Sequence, residues 1–580
     1  MSRVLRFARE TPAFSPDCGE VSPIKAGSAR FSLAGALAVW HDARRRGKNM
    51  TASQGQMVRS ISAASLIMMG SVLLSRVLGI VREMVLAGMG GTSGEMDAYV
   101  AAFLLPEFLN HMLAGGFMSI TFIPLFQERL QRQDAAGAWR LFNNLLCTGT
   151  LIMTLLVAAA WAGTPQILSW MGDRVGGASL EQVTRLTRII LPAQIFFYWG
   201  ALLMAVQFAH QQFFLPALAP LIYNGGIIAG GVLLGPWLGV EGFAWGVLGG
   251  ALAGNGLVQA LGLRRLKPAL GWKMDLRDEG LRRYVWLSLP LVFGLGMQFS
   301  NEMAFRIFGA PLGEGALASL NYALRIMWAL VGLFGQAVGI ASFPYLSRLA
   351  VGGKLGEMNE VAGGVLRRLL LLVLPVSAIL MALAPEVVTV VFQRGRFTAT
   401  SAAQTAPVLQ WYLAGAFAFA AMTIVTRCFY AMQNTWLPMV ASTGVTVASL
   451  PLYAWMSRGW GAPGIAVAGS IGAVVQLAVL SWLWARRHGQ PVFWSQIGQG
   501  AWQALVAAVV AGGAALGLKM ALWGLGWLGG LKATVAHAIV GAVAGGIGFA
   551  AAGLVMWIMG VREAREVLAK WLRKQQAAQP

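Results

Sequence analysis

From residue 61 to residue 560 the chain alternates between apolar runs of twenty or more residues and short polar connections. Runs of that length match the hydrocarbon thickness of a bilayer, so each predicts a transmembrane helix. Fourteen spans are expected, at 61–86, 96–123, 142–171, 187–209, 214–237, 241–263, 284–308, 316–345, 366–392, 404–431, 435–456, 463–485, 500–524 and 533–560. An even number places both termini on one side of the membrane.

The runs are internally repeated. "FIPLFQERL" (122–130) aligns with "SFPYLSRLA" (342–350) at a shift of 220, and "GTPQIL" (163–168) with "LAPEVV" (383–388) at the same shift. "FAHQQFFLP" (208–216) aligns with "YAMQNTWLP" (430–438) at 222, and "GVEGFAWG" (239–246) with "GAPGIAVA" (461–468), also at 222. A near-constant offset over four anchors predicts two homologous six-helix bundles plus an extra helix pair. Six is even, so the halves share one orientation and are related by an axis along the membrane normal. The expected division is a basic N-terminal tail (1–57), an N-terminal bundle (58–275), a C-terminal bundle (276–490), the extra pair (491–565) and a tail (566–580). Such an all-α architecture leaves a cavity between the bundles.

Composition agrees with a membrane protein: 57% of residues are hydrophobic, 12% are charged and the net charge is +21. The positive residues sit between the apolar runs, which sets topology and argues against a nucleic-acid surface. The alternate connections and the two tails hold 31 Lys and Arg. The opposite side holds eight: Arg174, Arg185, Arg188, Arg306, Arg394, Arg396, Arg458 and Lys532. Both termini are therefore expected in the cytoplasm. "FSLAGALAVW" (31–40) is too short to span and lacks a cleavage site after it, so 1–57 reads as a disordered basic tail or an over-extended start. Three cysteines and five scattered histidines give no disulfide framework and no metal-binding or catalytic spacing, so no cofactor, metal or enzyme chemistry is expected.

Charges within a span must face protein or water, which makes each a functional candidate. They are Arg76, Arg82, Glu83, Asp97 and Glu107 in the first bundle, with Asn110 and His111 one turn on. Glu302, Arg306, Arg325 and Arg427 follow in the second, and Lys519 lies in the thirteenth span. Within "SRVLGIVRE" (75–83), Arg76 and Glu83 share a helical face and Arg82 lies about 120° round from Arg76. Gly79 between them would permit a bend or a close helix approach. Arg82 and Asp97 could neutralise each other and brace the first two helices, or Arg82 could serve cargo. Arg76 and Arg325 have no carboxylate one turn away, which points to an anionic cargo, and a guanidinium suits phosphate oxygens. Glycine runs such as 246–256 and 541–548 read as helix-packing surfaces and not as phosphate loops.

"SRVLGIVRE", "MDAYVAAFLLPEFL" (96–109), "GGFMSITFIPLFQERL" (115–130), "NYALRIM" (321–327), "GIASFPYLSRL" (339–349) and "VFQRGRFT" (391–398) resemble the MurJ (MviN) family of lipid II flippases, over about 58–570. The resemblance implies alternating-access export of the undecaprenyl-pyrophosphate-linked peptidoglycan precursor across a bacterial inner membrane, with possible cell-wall synthesis proteins as partners. It implies cavity arginines at Arg76, Arg82 and Arg325, a paired acid at Asp97, and a polyprenyl groove formed by the last two helices. A further cavity arginine falls on Asn110, beside His111, and other family charges fall on Leu104, Leu324 and Trp328. Some members bind sodium through acids of the seventh and eleventh helices, whereas 435–456 holds no acid here. The alternatives are a flippase for another polyprenyl-linked glycan, a cation-coupled drug antiporter, whose cavity should be acidic, or a scaffold that has lost transport.

Overall fold

The computed structural model describes residue 71 and residues 74–565, apart from 115–116, 170–173, 176–177, 273, 299, 489–490, 526–530 and 563–564. The expected N-terminal tail, the start of the first span and the C-terminal tail lie outside the described residues.

The first described helix, α1, covers 74–90. Helix α2 is broken into Gly94–Ala102, Leu104–Leu109, a π turn at Asn110–Ala114 and Phe117–Gln131. Helix α3 (Ala135–Leu168) is capped by the Asp134 carboxylate, which accepts from the Gly137 N–H at 2.7 Å. A two-residue antiparallel ladder, β1 (Arg174–Val175) with β2 (Ala178–Ser179), then interrupts the expected all-α pattern. It leads into α4 (Leu180–Ile190 and Ala193–Ala209), capped by Ser179. Helices α5 (Phe214–Leu238) and α6 (Glu241–Ala251, a π turn at Leu252–Leu257, Val258–Arg264) complete the first bundle.

The second bundle begins with α7 (Glu279–Gln298 and Ser300–Gly309) and α8 (Ala316–Val331, a π turn at Gly332–Gln336, Ala337–Val351). Helices α9 (Leu355–Ala382 and Ala384–Phe392) and α10 (Ala399–Ala431) follow. The stretch Trp436–His488 bends at Gly461 (φ 64°, ψ −138°), giving α11 before the bend and α12 after it. The extra pair is α13 (Pro491–Gly524) and α14 (Ala533–Ile558).

The duplication read from the anchors is written into the backbone. The π turn at Asn110–Ala114 has its twin at Gly332–Gln336, 222 residues on. Gln211 and Gln433, also 222 apart, both take positive φ (58° and 56°). Gly239 (φ 58°, ψ −134°) and Gly461 repeat one unusual conformation at the same offset, which only glycine adopts without strain. The described residues form an all-α membrane architecture with an internal repeat, and two six-helix bundles of the same orientation with a helix pair added is the reading that fits it.

Among the described residues ten helices are long and apolar enough to cross a membrane. One is the 53-residue stretch that bends at Gly461 and so contains two expected spans. The other three expected spans, at 61–86, 96–123 and 284–308, each include residues outside those described, and they carry Arg76, Arg82, Glu83, Asp97, Glu107, Glu302 and Arg306. In α2 the backbone breaks and the charges coincide, as expected where backbone and side chains line a cavity or another bundle instead of lipid.

The glycine-run reading holds for α5 and α6. A Cβ at Gly230 would lie 2.5 Å from the Gly246 Cα, and one at Gly226 would lie 2.5 Å from the Gly250 Cα. These helices touch backbone to backbone, a packing mode that needs small residues in lipid. Gly79 has nothing within 4 Å of a would-be Cβ, and α1 runs through it unbroken, so the bend or close approach expected there does not occur. Helices α13 and α14 pack on α9 through Ile379, Leu383, Ala511, Ala515, Ala544 and Ala552.

Candidate functional site

The charged side chains meet where α1 and α2 of the first bundle face α7 and α8 of the second. Arg82 donates from Nη2 to Glu83 Oε1 at 2.5 Å and from Nη1 to Asn224 Oδ1 of α5 at 2.9 Å. Glu83 Oε1 lies 3.6 Å from Arg325 Nε, and Glu83 Oε2 accepts from Asn321 Nδ2 at 3.5 Å, both on α8. Glu83 is buried and so bridges one arginine from each bundle. This revises the sequence-based expectation for both arginines: the partner of Arg82 is not Asp97, and Arg325 has a carboxylate beside it.

Asp97 is fully buried and accepts from the Gly315 N–H (2.7 Å) and the Ala318 N–H (2.8 Å) at the start of α8. Those amides open a helix and have no acceptor within it, so a carboxylate from the other bundle is well placed there. The local helix therefore claims Asp97 before Arg82 can. Around it the two bundles are tied by further polar contacts. The Arg396 N–H donates to the Gly88 carbonyl at 2.7 Å, the Gly94 N–H to Glu314 Oε1 at 3.0 Å, and the Tyr322 hydroxyl to the Gly91 carbonyl at 3.1 Å. Thr92 and Ser401 share a hydroxyl hydrogen bond of 2.8 Å. This end of the molecule, where α1 turns into α2 and α9 into α10, is shut.

Arg306 lies near a helix end as expected, and there it is buried at 2% exposure and donates to Glu107 Oε2 at 2.6 Å. The counter-charge on α2 is what permits that burial. Arg76 donates to Gln336 Oε1 at 2.8 Å, at the π turn of α8. A Cβ at Gly332 would sit only 1.7 Å from Arg76 Nη1, so the guanidinium lies directly against that turn. His111 Nδ1 is 2.9 Å from the Glu107 carbonyl within the α2 π turn, and Asn110 begins that turn half-buried. The structure thus joins Arg82, Arg325 and Glu83 in one cluster, holds Arg76 against the α8 π turn, and uses Asp97 as a tie between bundles.

Two cavities lie elsewhere. One of about 410 Å³, lined mainly by apolar residues of α3 and α7 with Tyr198 of α4 and Met112 of α2, does not touch the arginine cluster. A second of about 400 Å³ lies among α9, α10 and α14 and includes His537. Beside it Lys519 Nζ is 2.8 Å from Glu386 Oε2, His537 Nδ1 is 3.7 Å from Glu386 Oε1, and the Trp523 indole donates to Glu386 Oε1 at 3.3 Å. Sequence reading noted Lys519 but overlooked Glu386 and His537. The signal in the sequence is a glutamate within an apolar run, Glu386 of the repeat anchor "LAPEVV". Among the described residues no three His, Cys, Asp or Glu side chains gather as a metal site.

The family profile described as "Lipid II flippase MurJ" matches residues 86–535. The protein named lipid II flippase MurJ of Burkholderia cenocepacia is 29% identical over 394 residues, 67% of this chain and 76% of that one. A probable lipid II flippase MurJ of Bdellovibrio bacteriovorus is 27% identical over 430 residues, 73% of this chain and 82% of that one. The solved structure of a lipid II flippase MurJ in an inward closed conformation superposes with a TM-score of 0.68 at 20% identity, covering 85% of this chain and 99% of that one. An inward-facing multidrug resistance transporter of the MATE family, in the MOP superfamily, superposes at 0.60 with 15% identity, covering 72% and 95%. With the family profile spanning most of the chain, from the end of α1 into the added helix pair, the protein belongs to the MurJ family.

Proposed function

We propose that the protein is a flippase that carries lipid II, the pyrophosphate-linked peptidoglycan precursor, from the inner to the outer leaflet of a bacterial cytoplasmic membrane by alternating access. The observation that carries this reading is the set of guanidiniums between the bundles: Arg76, Arg82 and Arg325, with one buried carboxylate, Glu83, shared by two of them. A cluster of that net sign attracts an anion, and guanidinium geometry suits phosphate oxygens. The family profile and the curated relatives carry the same function in their names.

In this reading Arg76, Arg82 and Arg325 hold the pyrophosphate, with Asn110 and His111 lining the α2 side, and Asp97 acts at one remove by holding the bundles together. The basic connections face the cytoplasm, with both termini there. The shut end described above then faces outward, and the cargo enters from the cytoplasmic side. The first bundle extends to about residue 275 and the second to about 490, with the added pair covering the polyprenyl chain. An inside-negative potential favours outward movement of the head group by about 2.3 kcal/mol per charge per 100 mV. The protein works as a transporter, without covalent chemistry of its own.

A strain depleted of its own lipid II flippase tests the assignment. The wild-type gene is expected to restore growth, and Arg325→Ala to fail at equal membrane abundance. Full rescue by Arg325→Ala would overturn it.

A further inference from the structure

At depth in the membrane nearly every cation has found a carboxylate. Arg82 and Arg325 share Glu83, Arg306 holds Glu107, and Lys519 holds Glu386. Two arginines stand apart. Among the described residues Arg76 donates to the neutral Gln336, and neither it nor Arg427 of α10 has a carboxylate within ion-pair distance. The Arg427 Nη1 is buried and has no hydrogen-bond partner, although the residue as a whole is half-buried.

Both lie against one helix, α8. Arg76 lies against Gly332, and a Cβ at Gly339 would sit 2.0 Å from Arg427 Nη1. Seven residues of α8 separate those glycines, about 10 Å along the axis. That is also about the span of a pyrophosphate that accepts a hydrogen bond at each end. One guanidinium comes from the first bundle and the other from the second, so an anion between them would touch both halves.

From this geometry we infer that Arg427 is a positioning residue for the pyrophosphate, paired with Arg76 across the α8 π turn and lying further from the shut end than the Arg82–Arg325 cluster. A burial that leaves a guanidinium hydrogen unmatched is costly in a membrane unless an anion arrives to match it. The cargo would meet Arg427 and Arg76 first and pass to Arg325 and Arg82 deeper in the site. The close packing at Gly339 has a purpose in this account: it leaves room for the guanidinium.

The inference rests on the pyrophosphate cargo proposed above, and its test separates the two. The probes are farnesyl pyrophosphate and farnesyl monophosphate, titrated by tryptophan fluorescence into the purified full-length protein in detergent. Wild-type protein is expected to bind the pyrophosphate about tenfold more tightly than the monophosphate, since two guanidiniums then bind two phosphates. Arg427→Gln is expected to reduce that preference to about twofold, and Arg427→Lys to keep part of it. Gly339→Ala, which keeps every charge and merely displaces the guanidinium, should act like Arg427→Gln. Thermal unfolding of each variant is expected to match wild type, which separates lost positioning from lost folding. Retention of the full preference in Arg427→Gln overturns the role of Arg427 alone. Wild-type protein that binds neither prenyl phosphate overturns the cargo reading, and this inference with it.

Discussion

Replacing Glu386 by alanine is expected to destabilise the protein by about 3–5 kcal/mol, the usual cost of leaving a buried ion without its partner. Glu386 is 2% exposed and stands between Lys519 and His537, one from each helix of the added pair, while the Trp523 indole donates to the same carboxylate. Its loss leaves an ammonium facing apolar surroundings, with only the Ala382 carbonyl, at 3.1 Å, still accepting from it. The remaining contacts between the added pair and α9 are mostly apolar, such as Ala515 and Ala544 with Ile379 and Leu383, with a hydrogen bond from Arg367 to Gln503 Oε1 at 3.3 Å. In lipid such contacts have no hydrophobic driving force between them, which makes the ion pair a larger share of the docking. Thermal unfolding in detergent, followed by tryptophan fluorescence, measures the effect. A double variant, Glu386→Gln with Lys519→Met, should recover most of the loss, because it removes both charges together. A single variant that unfolds at the wild-type temperature would show that the cluster does not hold the pair.

The second large effect is conformational. Asp97→Ala removes the acceptor from two buried amides of α8 and is expected to cost about 1–3 kcal/mol for each, all of it in the state whose far end is shut. Because the two partners belong to different bundles, the penalty weighs on their closure at that end and not on either bundle alone. A difference of this size is enough to shift a two-state population several-fold or more. Cysteines placed at Thr92 and Ser401, whose hydroxyls are 2.8 Å apart, report on closure through their cross-linking. The expected result is efficient cross-linking in the otherwise wild-type protein and a marked decrease with Asp97→Ala. Equal cross-linking would show that the remaining contacts close this end without Asp97.

Much of this architecture was legible in the amino-acid sequence, and the reason is geometric. A bilayer forces long apolar runs, and duplication forces a constant offset, so helices and repeat could be read without knowing any contact. The alignment of Gln211 with Gln433 matches their shared positive φ, whereas the π turns pair at 222 although the anchors nearest them pair at 220. Partnership was less legible. Arg82 and Asp97 lie close together in the chain and have opposite charges, yet each is claimed across the bundle interface or by a neighbouring side chain. Asp97 goes to backbone amides, which no residue pattern displays, and Arg82 to the adjacent Glu83. Adjacent residues on a helix do not face each other. Glu83 and Arg82 meet because the long guanidinium can fold back toward a carboxylate already turned to Asn321 and Arg325 on α8. Arg306 shows the same limitation, because its counter-charge, Glu107, is 199 residues away.

The central claim is that guanidiniums between the bundles carry a pyrophosphate-linked lipid across the membrane. Purified full-length protein in proteoliposomes, with fluorescently labelled lipid II in both leaflets and a membrane-impermeant quencher outside, tests it most directly. Wild-type protein should expose the inner-leaflet label to the quencher, whereas Arg76→Ala and Arg325→Ala should leave it protected as in protein-free vesicles. Translocation by both variants at the wild-type rate would contradict the account.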